Sequence, residues 1–184
     1  MWAAKAAAVV AIGAATFTPT TTTVKDPTGD VTKNPMDLTR VSLGRASNGE
    51  LRASLTTVAG FKVRSMVAKD GIPATACLRV WTKTTPGGAP PDYLVCATAT
   101  KDGKHLEASV LREREGTTPA RVGPARATRS NSSNITIRFG QSLVGRPAVI
   151  KFAGETVAAG CDRVTCTDVA PDNGKTARFR LRRS

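Results

Sequence analysis

The sequence predicts an all-β sandwich. Short runs of alternating apolar and polar residues recur along the chain, and Gly, Pro, Asn and Asp separate them. No 3.6-residue apolar periodicity is sustained after residue 24. Removing residues 1–23 from the 184-residue chain leaves 161, the size of one domain with its own core.

Residues 1–23 read as a signal peptide with a Thr-rich leader. Lys5 precedes a small-apolar run from Ala6 to Ala15, and Thr-rich sequence follows to Thr23. The run is about half of the roughly 20 residues needed to span a bilayer, so no stable membrane insertion is expected. Cleavage after Ala15 and cleavage within Thr21 to Thr23 both fit. No Cys lies near this boundary to carry a lipid, and the expected location is therefore secreted, extracellular. Residues 24–184 form the single β-sandwich domain.

Within that domain, Thr39, Val41 and Leu43 share one face of a strand, and Leu51, Ala53 and Leu55 share one face of the next. Ser47-Asn48-Gly49 between them supplies a hairpin turn. A three-strand meander follows: Cys77 to Lys83, then Tyr93 to Ala99 after a Pro/Gly-rich loop, then Leu106 to Val110 after the turn at Asp102-Gly103. Residues 116–134, with Val122 as their one sizeable apolar residue, read as a long connection between sheets. Ile135, Ile137 and Phe139 mark the clearest half-buried strand, and Ala148, Ile150 and Phe152 mark another. In the last run Phe179 and Leu181 face the core, and Arg178, Arg180 and Arg182 take the opposite face.

Four Cys in an exported chain imply two disulfides. Of three connectivities, the short separations favour Cys77 with Cys96 and Cys161 with Cys166. A zinc site is disfavoured because there is no C-x-x-C and the lone His105 is far from the second pair. The formal charge of +13 falls by one, to +12, when Lys5 leaves with the leader. Such a balance attracts polyanions non-specifically. Basic residues are spread from Lys25 to Arg183 and aromatics are few, which argues against specific nucleic-acid recognition.

Three candidate sites follow. Asp26, Asp30 and Asp37 form an acidic segment with the oxygen donors that Ca²⁺ takes, and Asp162, Asp168 and Asp172 form a second, weaker one. Neither has EF-hand spacing, and Asp is also a common turn former. For a saccharide, Trp81 and Tyr93 are the stacking candidates, with Arg79 on Trp81's face. The competing reading buries Trp81 over the Cys77 to Cys96 bridge or in the sandwich. For an anionic polymer, the candidates are Arg178, Arg180 and Arg182; the bland reading is a solvated outer face. Catalytic constellations are scarce. His105 lies in a hairpin turn, Gly140-Gln141-Ser142-Leu143-Val144 lacks the second Gly of a nucleophile elbow, and Glu113 and Glu115 sit in a charged run.

The opening Asp26-Pro27-Thr28-Gly29-Asp30, then Asp37-Leu38-Thr39-Arg40-Val41 and Gly49-Glu50-Leu51, resembles the start of exported actinobacterial β-sandwich domains. Ile135 to Phe139, Ser142 to Gly145 and Asp168 to Gly174 resemble the closing pattern of that group. The group is similar to family 9 carbohydrate-binding modules and DOMON-like domains, which implies a jelly-roll-like sandwich of two antiparallel sheets. The sugar-binding aromatic pairs of carbohydrate modules and a haem-ligating Met and His pair have no clear counterpart here. The expected function is a secreted, non-enzymatic binding module for a saccharide or anionic cell-envelope polymer. The alternative is a structural or protein-interaction domain stabilised by Ca²⁺. A hydrolase-associated domain ranks third.

Overall fold

The computed structural model describes residues 21–31, 34–46, 48–83, 89–114, 116–161 and 166–181. Most of the leader therefore lies outside the described residues, as do Asp162, Glu115 and Arg182. The strands are β1 (Thr21–Lys25), β2 (Leu38–Arg45), β3 (Leu51–Thr57), β4 (Thr75–Trp81), β5 (Tyr93–Ala99), β6 (Leu106–Arg112), β7 (Ala120–Asn131), β8 (Asn134–Phe139), β9 (Val149–Val157), β10 (Thr167–Ala170) and β11 (Ala177–Arg180). Single 3₁₀ turns occupy Val63–Met66 and Gln141–Val144.

The expected all-β, antiparallel character is present, but hydrogen bonding joins the strands into one sheet in place of two separate ones. Its order is β1-β2-β3-β8-β7-β6-β5-β4-β9-β10, and β11 also pairs with β9. β9 is long enough to be shared, with Val149 to Phe152 taken by β11 and Gly154 to Val157 by β10. The two ends of the sheet approach each other and nearly close a barrel. At this seam the Thr22 hydroxyl donates to the Arg178 carbonyl at 3.3 Å.

Inward residues come from alternate positions, as a pleated strand requires. Leu51, Ala53 and Leu55 face Ile135, Ile137 and Phe139 across β3 and β8, all fully buried. The shift in pairing between Leu38 and Arg40 is a bulge that turns both Leu38 and Val41 inward, so Thr39, expected on the core face, is only half-buried. Gly154 lets β2 pack across the barrel onto β9. A Cβ there would lie 2.4 Å from Val41 Cγ2 and 3.2 Å from Leu38 Cδ1.

Two segments differ from the sequence reading. Thr21 to Thr23, read as leader, pair with Gly44, Leu43 and Ser42 as the first half of β1. A cut after Ala15 leaves that strand whole, whereas a cut within Thr21 to Thr23 would shorten it. Residues 116–134, read as a connection, contain the twelve-residue β7. Its early residues pair with β6 and its later ones with β8, and small Ala residues at 125 and 127 take inward positions where a large apolar residue was looked for.

The seam is also held by buried polar contacts. Asn34 Nδ2 donates to the Thr156 hydroxyl at 2.9 Å and to its carbonyl at 3.2 Å, while the Thr156 hydroxyl donates to the Met36 carbonyl at 2.9 Å. All three residues are buried. Thr156→Val keeps the shape but strands the Met36 carbonyl. It is expected to cost about 1–3 kcal/mol, the range for a buried polar group left without its partner. Urea unfolding checks this, and an unchanged midpoint would remove the clamp from the account.

Candidate metal centre

The two acidic segments, some 140 residues apart in sequence, meet at this seam. On one side β1 ends at Lys25, and Asp26 N–H donates to the Thr39 carbonyl at 2.9 Å, which fixes Asp26 just beyond the strand pair. The chain then bends through Gly29, whose φ of +83° favours glycine. Gly29 N–H donates to Asp37 Oδ2 at 2.8 Å, so Asp37 ties down the turn that carries Asp30. On the other side, alternation along β10 points Asp168 and Ala170 inward. Asp168 Oδ2 accepts the Leu38 backbone N–H, which couples β10 to the start of β2. Asp172 follows the cis Ala170-Pro171 bond in a turn closed by Lys175 N–H on the Asp172 carbonyl at 3.2 Å.

Asp26, Asp30, Asp168 and Asp172 each bring a carboxylate oxygen to within 4.8 Å of the others. Asp26 and Asp168 are buried, at 8% and 1% exposure, while Asp172 is half-buried and Asp30 exposed. The cluster thus has a buried floor and an open rim. Both carboxylate oxygens of Asp26, with Oδ1 of Asp37 and Oδ1 of Asp168, are buried without a hydrogen-bond partner. Burying a carboxylate without a partner is costly, and the usual escape is protonation or a counter-charge.

The electrostatics agree. Burial first, then the charges of Asp172, Asp168 and Asp30, push the Asp26 carboxyl up to about 7. The Asp172 backbone N–H offsets part of this rise without reaching hydrogen-bonding geometry. Asp168 is raised to about 6, again by burial first, against the opposing Leu38 N–H bond. Asp172 is raised by burial, by the charge of Asp30 and by a shared hydrogen bond with it. The donors are all hard oxygens. Their spread matches the roughly 4.6–5.2 Å across a Ca²⁺ coordination sphere, twice its metal–oxygen distance, and the ion's remaining ligands to a total of six to eight would be further oxygens.

The sequence-predicted residues divide as follows. Asp26 and Asp30 belong to the cluster, Asp37 braces it from behind, and the second acidic segment contributes Asp168 and Asp172 to the same centre in place of a separate one. The aromatic candidates are displaced. Trp81 is buried, its Nε1 donates to the Ala89 carbonyl at 2.9 Å, and the Arg79 guanidinium covers its ring at 5.3 Å from the centroid. Arg79 in turn pairs with Glu155 at 3.5 Å. Tyr93 is buried in the core, with Arg112 stacked at 5.4 Å and donating to its hydroxyl at 3.3 Å. Neither ring offers a free face to a sugar. Alternation places Trp81 on the outer side, where the Ala89 carbonyl and the Arg79 guanidinium cover it.

Arg178 and Arg180 are exposed on one face of β11, flanking buried Phe179, as the alternation requires. The bridges pair Cys77 with Cys96 and Cys161 with Cys166; the first joins residues directly opposite across β4 and β5, with Cα atoms 4.0 Å apart. His105 is exposed in the turn between β5 and β6.

Without a bound cation, the raised carboxyls have a definite pH signature. The folded state holds protons on Asp26 and Asp168 between the ordinary carboxylate value of 3.8 and about 7 and 6, where the unfolded chain has released them. Their contribution to stability is therefore complete below about pH 4 and is lost as pH rises through 6 and 7. Chelator-treated protein is expected to lose Tm between pH 5 and pH 8, and Asp26→Asn is expected to flatten that slope. A melting temperature that is level or rising over this range would contradict the charge repulsion described here.

No protein-family model, curated protein or solved structure matches the chain, so the reading of the site rests on its own geometry.

Proposed function

We propose that the chain is an exported, disulfide-stapled, non-enzymatic β-barrel binding module whose seam is locked by Ca²⁺ at Asp26, Asp30, Asp168 and Asp172. The observation that carries this reading is the convergence of four carboxylates around buried oxygens that have no partner in the protein. A +13 chain with only 14 acidic residues has cations to spare, yet none of its described Lys or Arg side chains forms an ion pair with these carboxylates. Export is supported by the leader pattern and by two disulfides, which persist in oxidising compartments. Extracellular modules hold Ca²⁺ with dissociation constants of roughly 10⁻⁴–10⁻³ M, and a site with an open rim suits that range.

The test is a Ca²⁺ titration of the melting temperature at pH 7.5 after chelation. At tenfold excess over the dissociation constant, binding to the folded state adds about 1.4 kcal/mol, or about 3–6 °C for a domain of this size. Asp26→Asn is expected to abolish that shift while raising the melting temperature of the chelated protein, because it removes a buried charge. A parallel titration with Mg²⁺, which demands a tighter octahedral shell, is expected to give a smaller shift. Identical melting curves in Ca²⁺ and chelator would return the four Asp residues to the role of turn formers.

A further inference from the structure

At the other end of β1, the outer face of the sheet carries a second unexplained arrangement. Strand register sets Arg52 opposite Arg138 and Arg138 opposite Arg126, three guanidiniums abreast on β3, β8 and β7. All three are exposed. Like charges directly opposite one another across strands are destabilising. Of the three, only Arg126 forms an ion pair with a described acidic residue, Glu50 at 2.6 Å, and Arg138 shares the field of that single carboxylate. Two residues along each strand lies a row of hydroxyls running across five strands: Thr23, Ser42, Ser54, Thr136 and Thr128.

These rows do not lie on a smooth convex wall. Gly44, paired with Arg52, contributes no side chain to the basic row. The result is an open groove of about 580 Å³ between Thr21, Ser42, Arg45, Arg52, Ser54 and Arg138. Beside the groove a polar network holds one lining residue in place: Asn134 Nδ2 donates to Ser54 Oγ at 2.7 Å and to Thr56 Oγ1 at 3.0 Å, and its Oδ1 accepts the Thr136 hydroxyl at 3.2 Å.

We propose that this groove binds an anionic polysaccharide, with the Arg52 and Arg138 forks on its carboxylate or sulfate groups and the lining hydroxyls of Ser42 and Ser54 on its sugar hydroxyls. The guanidinium fork matches such planar or tetrahedral anions with paired hydrogen bonds. Adjacent strands are about 4.8 Å apart, so a chain lying across them meets a new side chain at each strand. Single-stranded nucleic-acid binding combines a basic groove with exposed aromatic platforms, and this groove has no aromatic lining residue. This site is separate from the metal centre and from the basic strand β11.

The experiment measures retention of Ca²⁺-saturated protein on immobilised polygalacturonate and dextran sulfate over a salt gradient, with single-stranded DNA as comparator. Arg52→Gln with Arg138→Gln is expected to weaken both polysaccharide interactions at least tenfold. Arg178→Gln with Arg180→Gln, which removes the same charge from β11, is expected to change them less than twofold. Arg52→Lys with Arg138→Lys keeps the charge, guards against a folding defect in the Gln pair, and is expected to lose at least threefold through the missing fork. Equal losses from the groove and β11 pairs, or full binding by the Gln pair, would overturn the proposal in favour of diffuse charge. DNA bound by the parent protein as tightly as either polysaccharide would overturn it in favour of a nucleic-acid surface.

Discussion

Mutual repulsion among carboxylates at the seam is the constraint on which the rest of the structure turns. A sheet that nearly closes on itself must bring its first and last strands together without a full ladder between them, and here the meeting is made by side chains. Asp168 holds the start of β2 by its backbone, Asn34 and Thr156 hold the loop before it, and Gly154 removes the side chain that would keep β2 and β9 apart. Those contacts draw Asp26, Asp30, Asp168 and Asp172 into one small volume. The packing and the charge therefore oppose each other, and a divalent cation is the simplest agent that reconciles them.

The disulfides act on a different part of the same problem. Cys77 and Cys96 cross-link two neighbouring strands that the ladder already pairs, so that bridge reinforces a local hairpin. Cys161 and Cys166 close the segment between β9 and β10, just before Asp168. This second bridge restricts the entry to the strand that carries Asp168. Its five-residue separation limits its entropic effect on the unfolded chain, so positioning is the more useful view of it.

Legibility in the sequence followed the range of the interaction. Hairpin strands such as Leu51 to Leu55 and Ile135 to Phe139 show their inward face directly, because alternation is a local property and burial follows it. β7 was missed because Ala125 and Ala127 take inward positions without the bulk that marks a strand. For Trp81 the burial reading matches the structure, while its partner is not legible in sequence, since no local pattern reveals that the Ala89 carbonyl caps its ring nitrogen. The acidic segments were each recognisable as oxygen-rich turns, but their union depends on β10 lying beside β9 and reaching Leu38, a contact across 130 residues. The row of Arg52, Arg138 and Arg126 is likewise invisible in sequence, because it exists only once three strands share a register.

The placement of the seam bears on the order of folding events in a chain that is made from its N-terminus. Asp26 and Asp30 emerge early, and they have no partners until Asp168 and Asp172 follow. Non-local closure of this kind comes late in folding, since the intervening chain must first be ordered. The four-carboxylate cluster is therefore complete only in the full-length chain. A chain halted before β10 lacks Asp168 and Asp172, and leaves Asp26 and Asp30 beside an unclosed sheet edge.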